Sequence, residues 1–503
     1  MAFEPVFEKI SFNCIKKSVS EQIKAECKVE IPTEEISSIV NVSAWAVITE
    51  SSLENGVAEY GGKAVFYVSY ADNENVLRKC ECGVEFKGSI KDAEIRATDR
   101  AYFTVTVDKN EYDLTGTKLT VGAYLTVRAQ LNGCESVSAL SGGDDLVVNQ
   151  NEIQSVKSFG VKTTVFPIEE EFELSYPVAE VLSHRAQAVI TAVQCGVGAI
   201  IVDGEVLLSA IMLQKNAKGD IIKETKTMPF RAEIECDEAM PNMQATARVR
   251  EKSFKTDVAV DEDGGKSVVI AQVYLVFEGE AFSDQMLTVA TDVFSTEQEV
   301  ELIKRDLSYY KTGELRCCTQ TVSVKAGTID LPVGTTLCAV DGESVEIVSK
   351  RCDGDLTAVT GVLSAVVYFK DSQEKVFTIK AEAPFESTID CPTGCGVEID
   401  LVVRAQKAHA RIISINEIEI DAEVVFTVYP HEKNQIKIIG EIKELGEKKK
   451  NSCALSVYIP VEGEELWSLS KRLNVCPTAL LATNPELTFP LTGKERIVVY
   501  RQK

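Results

Sequence analysis

Three segments of this chain follow one pattern. They are GGKAVFYVSYADNENVLRKCECGVEF, DGEVLLSAIMLQKNAKGDIIKETKTMPF and TGVLSAVVYFKDSQEKVFTIKAEAPF, marked by Gly62 and Phe86, Gly204 and Phe230, and Gly361 and Phe385. The Gly-to-Phe separations are 24, 26 and 24 residues, and the two extra residues of the second fall in its polar tip at 215–219. Pro32, Pro177 and Pro332 precede these glycines by 30, 27 and 29 residues. Downstream, each segment leads on to further strand-like runs, ending in LTVGAYLTVRAQL, SVVIAQVYLVFEGEAF and IEIDAEVVFTVYP. Repetition on this scale makes the copy, rather than the chain, the folding unit.

Within the copies, apolar and polar residues alternate. Phe103, Val105 and Val107 alternate with Thr104 and Thr106; Val322, Val324 and Ala326 alternate with Ser323 and Lys325. A period of two, rich in Val, Ile, Thr and Tyr and broken by turn residues every 8–12 positions, predicts half-buried antiparallel strands. The expected fold is mainly β: tandem sandwich- or barrel-like domains at 1–150, 151–310 and 311–440. The polar stretches Val147–Ser158 and Leu302–Lys311 are expected between copies. Gly suits a strand bend, Pro an edge and Phe a core anchor. Catalysis needs one asymmetric constellation, whereas three similar copies offer surface.

The C-terminal segment differs. Residues 441–452, EIKELGEKKKNS, with Lys448, Lys449 and Lys450, read as a solvated tether. Residues 453–503 read as strand, helix, helix, strand. Leu455, Val457, Ile459 and Val461 alternate on one face, and Gly463 turns the chain. Glu464 and Glu465 suit a helix N-terminus. Leu466, Leu469 and Leu473 form one apolar stripe, with Lys471 and Arg472 in the last turn. Pro477 opens the second helix, Leu480 and Leu481 supply its core face, Pro485 ends it, and Ile497–Tyr500 returns as a strand. Trp467 heads the candidate partner-binding residues, followed by Leu455, Tyr458, Lys471, Arg472 and Asn484, because Trp, Tyr and Arg dominate interface hot spots.

Charge separates the two parts. The chain of 503 residues carries 53 basic and 77 acidic residues, a net −24. Residues 456–503 hold six Lys/Arg and five Asp/Glu, so the remainder carries −25. Such acidity argues against nucleic acid or an anionic membrane as partner. No apolar run is long enough to span a bilayer, and MAFEPVFEKISFNCIKK lacks the order of a signal peptide, so a cytosolic residence is expected. The 15 cysteines, including Cys80/Cys82, Cys317/Cys318 and Cys391/Cys395, lack zinc spacing and read as buried thiols. His184, His409 and His431 share no copy position, and no phosphate-cradling motif occurs. Residues 142–145 and 261–265 read as hairpin turns rather than calcium loops. The expectation is a non-enzyme without cofactor or metal.

Two resemblances sharpen this. The threefold pattern over roughly 30–430 resembles the SPOCS domains of spore-coat-associated proteins in endospore-forming Firmicutes. Gly463, Leu466, Trp467, Asn484 and Pro485 match the LysM signature over about 45 residues; Glu464-Glu465 stands where LysM domains carry Asp-Thr, and Leu491-Thr492-Gly493 replaces a shorter turn. Together the arrangement resembles the SipL-like spore morphogenetic proteins of the clostridia. That resemblance implies a scaffold in the mother-cell cytosol, at the forespore surface, binding the coat-basement ATPase (stage IV sporulation protein A) through LysM alongside other coat proteins. It leaves self-association through the SPOCS copies open. The alternative is a glycan-binding LysM protein directed to N-acetylglucosamine chains of cell wall or spore cortex.

Overall fold

A computed structural model describes residues 4–29, 36–115, 118–216, 219–260, 265–353, 356–391, 397–448 and 454–500. Pro32, Lys449, Lys450, Cys395, residues 217–218 of the polar tip and residues 261–264 lie outside them. The chain is mainly β, and its sheets are antiparallel.

The sheets fall into three successive sets along the chain; the first two share one strand order and the third has one strand more. The first unit contains β1 (Pro5–Val29), β2 (Ile36–Glu54), β3 (Val57–Asp72), β4 (Leu77–Lys91), β5 (Arg100–Thr115) and β6 (Lys118–Gly143). Its sheets have the orders β1-β6-β5 and β2-β3-β4. The second contains β7 (Leu146–Glu173), β8 (Val178–Cys195), β9 (Ala199–Gln214), β10 (Ile221–Glu235), β11 (Gln244–Val260) and β12 (Lys266–Ser295), with sheets β7-β12-β11 and β8-β9-β10. In the third, β13 (Gln298–Thr312) and β14 (Arg316–Gly327) share the role of the first strand. They pair with β19 (Glu417–Glu447), which also pairs β18 (Val397–Ser414). Its other sheet is β15 (Thr336–Asp353), β16 (Leu356–Lys370) and β17 (Val376–Asp390). In each unit, residues from both sheets share one core. The first includes Phe66, Val68, Leu125 and Val127; the second Val206, Phe230, Val273 and Phe277; the third Leu363, Val367, Ile420 and Phe426.

The Gly…Phe pattern has a direct cause. Gly62 lies opposite Phe86, Gly204 opposite Phe230, and Gly361 opposite Phe385 across neighbouring strands. A Cβ at Gly62 would overlap the Phe86 ring and the Val47 carbonyl oxygen. At Gly204 it would overlap Phe230 and the Val189 carbonyl, and at Gly361 it would overlap Phe385 and the Glu346 carbonyl. On its other side each glycine faces a bulge, at Thr49, Thr191 and Val348. The bulge pushes a carbonyl toward the central strand, the phenylalanine covers the bare backbone, and only glycine leaves room for both. Pro177 and Pro332 lie in the loops entering β8 and β15 rather than on strand edges.

The three units close on one another at three levels. At one end, Val40 and Ala71 of the first unit, Leu182, Ile211 and Leu213 of the second, and Ala339 and Tyr368 of the third form one apolar cluster. Polar contacts rim it: Asn41 Nδ2 donates to Tyr368 Oη at 2.8 Å and Ser183 Oγ to Asp341 Oδ2 at 2.6 Å. The fully buried Glu343 is ion-paired to Arg185 and, at 2.8 Å, to Lys223. Burial alone would raise its carboxyl pKa, but these two cations more than offset it and hold the pKa below the ordinary value. Midway, the Arg248 guanidinium of the second unit lies 4.6 Å from the Tyr102 ring of the first and 4.3 Å from the Tyr429 ring of the third, and pairs with Asp400. At the other end the long first and last strands leave the sandwiches as two-stranded ribbons. Their inner faces meet in small clusters: Leu140, Ala290 and Ile439; Ala139, Val289 and Ile438; and Phe12, Leu307 and Tyr309.

The ribbons correct the expected punctuation. Val147–Ser158 and Leu302–Lys311 are ladder-forming parts of β7 and β13, not connectors. Residues 441–447, expected in the tether, complete β19. Their composition misleads because a ribbon in a six-strand bundle buries one narrow face and leaves every other side chain in water. The unit junctions are instead two tight turns, at Asp144-Asp145 and at Thr296-Glu297.

Candidate interaction site

The C-terminal module comprises β20 (Leu455–Tyr458), α1 (Leu466–Leu473), α2 (Pro477–Thr483) and β21 (Ile497–Tyr500). Gly463, at φ +82°, makes the turn before α1, and Asn474, at φ 56°, ends it in the left-handed region. Pro477 occupies the first turn of α2. Leu469, Leu473, Leu480, Leu491, Ile497 and Val499 form a small buried core against which Tyr458 and Leu466 pack. Glu464 makes no cap. Its carboxylate accepts from Val461 N at 3.1 Å and from Arg472 Nε and Nη2 at 2.8 Å, and these contacts hold its pKa below the ordinary value.

The six candidate contact residues separate into four groups. Asn484 and Tyr458 are internal. Asn484 Nδ2 donates to Val498 O at 2.7 Å and Leu480 O at 2.9 Å, and its Oδ1 accepts from Val498 N at 2.8 Å, fastening α2 to β21. Arg472 is spent on Glu464. Trp467 and Lys471 face the β units. Trp467 Nε1 donates to Asp292 Oδ2 at 2.8 Å, and Lys471 Nζ reaches both Asp292 oxygens at 2.7 and 2.8 Å. The Trp467 ring packs 5.3 Å from that of Phe294. Burial would raise the Asp292 pKa, but Lys471 and the indole N–H lower it below the ordinary carboxylate value.

Two further residues complete this contact. Asn474 Nδ2 donates to Thr296 O at 2.7 Å. Lys448 Nζ donates to Asn474 Oδ1 and to Ser295 O, both at 2.8 Å, and burial lowers its pKa. Lys448, read as part of a solvated tether, is therefore a fixed link between module and ribbon. Asp292, Phe294 and Thr296 escaped the sequence reading because TDVFST carries no motif. Their shared face is set by a bulge at Thr291.

Leu455 alone among the candidates is both exposed and uncommitted. Leu455 lies opposite Tyr500, and Val457 opposite Val498, on the face of the β20–β21 ribbon turned away from the helices. Leu455 is 62% exposed, and Val457, Ile459, Val461 and Tyr500 are similarly open. The alternation read from sequence holds, and it points outward because the two helices cover only one face of the ribbon.

No family model matches this chain, and no curated protein or solved structure is significantly similar to it.

Elsewhere the titratable groups are built into packing. His184 lies edge-on to Tyr67 at 4.9 Å and to Phe254 at 4.7 Å, and burial lowers its pKa to about 4. Burial also lowers His431 to about 4. Among the described residues, no three His, Cys, Asp or Glu side chains converge as metal ligands. The described cysteines are free thiols, and burial raises the pKa of Cys14, Cys80, Cys195, Cys317, Cys318 and Cys338. Among the described residues, no helix is long and apolar enough to cross a membrane.

Proposed function

We propose that this chain is a non-enzymatic scaffold of endospore coat assembly. Its three β units are SPOCS-type copies, and its C-terminal module is a LysM-type domain that binds the coat-basement ATPase, stage IV sporulation protein A, at the forespore surface. The observation that carries this reading is the open apolar face of Leu455, Val457, Ile459, Val461 and Tyr500 on a module with so small a core. A run of adjacent exposed apolar side chains costs solubility unless a partner covers it. The module's charge of +1 beside a remainder of −25 lets it approach acidic partners that the β units repel.

The test is capture from extracts of sporulating cells by the full chain, its Leu455→Arg variant and its Val457→Arg variant. Each arginine places an unpaired charge in the proposed contact without touching the module's core. Capture of the ATPase should fall about tenfold or more in both, while thermal melts stay unchanged. Undiminished capture by both folded variants would remove this face from the reading. Micromolar binding of N-acetylglucosamine oligomers without capture of a coat protein would replace the reading with a glycan-directed one.

A further inference from the structure

The contact between α1 and the second ribbon is more specific than a resting place. Trp467, Lys471 and Asn474 lie on one side of α1, spaced by four and three residues. Together they grip one extended segment: the Asp292 carboxylate, the Phe294 ring and the Thr296 carbonyl. Lys471 supplies charge, the indole supplies an N–H and an apolar plate, and Asn474 reads the backbone.

The three ribbons provide an internal control. Each carries a bulge on its last strand just beyond the shared apolar layers, at Ser141, Thr291 and Gly440. The residue after the bulge is Gly142, Asp292 or Glu441, and two positions further on it is Asp144, Phe294 or Lys443. Only the second ribbon offers a carboxylate and an aromatic ring two residues apart. The α1 face sits on that ribbon.

We propose that Asp292-Val293-Phe294 is an internal stand-in for an external ligand. On this view the α1 face recognises an extended segment presenting a carboxylate, then an aromatic side chain two residues later, with a backbone carbonyl free beyond it. The inference rests on the reading of the module as the chain's recognition element, and adds a second surface with its own specificity. The Leu455 face stays open at all times, whereas the α1 face is filled until the latch on Asp292 is released. Lys448 is anchored at the ribbon tip, and only residues 449–454 separate it from β20. A tether that short holds the internal segment at an effective concentration near the millimolar range, so an external segment competes poorly while Asp292 is present.

The probe is a synthetic peptide of the chain's own residues 289–297, VATDVFSTE, added to the full-length protein and followed by Trp467 fluorescence and calorimetry. Wild type should bind it weakly. The Asp292→Ala chain, which cannot hold the indole or Lys471, should bind it about tenfold or more tightly. The same peptide with alanine for its aspartate should lose that gain, and the Asp292→Ala, Trp467→Ala double variant should not bind. Hydrogen exchange of α1 should show the released module still folded. If Asp292→Ala unfolds it, Asp292→Asn keeps an acceptor for the indole while losing the charge, and should give an intermediate gain. Equal binding by wild type and both folded variants would overturn the proposal, as would indifference to the peptide's aspartate. Tight peptide binding without capture of the ATPase would remove the partner named above and leave this specificity standing.

Discussion

The β units and the C-terminal module hold together by opposite means. Each unit buries a sandwich core drawn from two sheets, and the units share further apolar and ionic contacts at three levels. The module has six buried apolar residues, a polar clamp at Asn484 and a polar latch to its neighbour. A deep core tolerates few backbone changes but needs no single hydrogen bond. A shallow one depends on individual polar contacts, because little apolar area is available to offset their loss. The same contrast separates their roles: a rigid frame, and a small element whose faces can be covered or released.

The largest expected effect tests the frame. Gly204→Val drives a side chain into the Phe230 ring and the Val189 carbonyl. A clash with backbone has no rotamer escape, so the cost should be about 3 kcal/mol or more, read as a lower urea midpoint. In the module, Gly463 has positive φ but open space around it. Gly463→Ala should cost only about 1 kcal/mol. Similar costs at both sites would mean that the Gly–Phe pairs are not what locks the sheets.

Much of this frame was legible in the sequence. Gly62/Phe86, Gly204/Phe230 and Gly361/Phe385 stood out as marks of a repeated pattern, and period-two alternation identified the strands. That each glycine faces its phenylalanine across a ladder was not legible, because register depends on the bulges at Thr49, Thr191 and Val348. The ribbons were hidden for a related reason. Their shared face is a few residues wide, so their composition reads as linker. In the module, the helix stripe of Leu469 and Leu473, Pro477 and the last strand lie as read. The site was half legible. Trp467 and Lys471 were singled out for contact, and both make one, but with Asp292, 175 or more residues away in sequence. No local signal announces such a partner.

A second measurement tests the module's dependence on single polar contacts. Asn484→Ala strips Val498 of both a donor and an acceptor partner and removes the side-chain bond to Leu480 O. Orphaning these groups in a part-buried site should cost the module about 2–3 kcal/mol. Native-state hydrogen exchange should show α1, α2 and β21 losing protection together, with the sandwich strands unchanged. Loss of protection in β12 as well would show that the latch carries stability back into the frame. Protection unchanged everywhere would mean that the module's core is stronger than its size suggests.

The smallest expected effect separates the two regions by pH. His184 is held between Tyr67 and Phe254, where burial, with Lys79 nearby, lowers its pKa from 6.5 to about 4 against a weaker opposing pull from Asp257. The unfolded chain therefore binds the proton first. His184 contributes stability that is complete above pH 6.5 and is lost as pH falls toward about 4. Between pH 7 and pH 5 this loss should reach about 2 kcal/mol, and His431, lowered to about 4 by burial, acts in the same direction. The module contains no histidine. Its lowered carboxylates, Glu464 and Glu495, work at lower pH: the stability they add is present above their ordinary value of 4.5 and is lost only as pH falls below it. Through these two histidines mild acid should thus weaken the β units, against an opposing gain from Glu180 and Glu278, whose carboxyl pKa values burial raises, while leaving the module's own core intact. Urea unfolding of the full chain at pH 7 and pH 5, with exchange resolved by region, reads this directly. His184→Phe, which keeps a ring between the two aromatic neighbours and cannot be protonated, should remove about half of the pH dependence. If the β units keep their stability down to pH 5, or if His184→Phe leaves the slope unchanged, the imidazole is not held neutral by its surroundings, and mild acid does not distinguish frame from module.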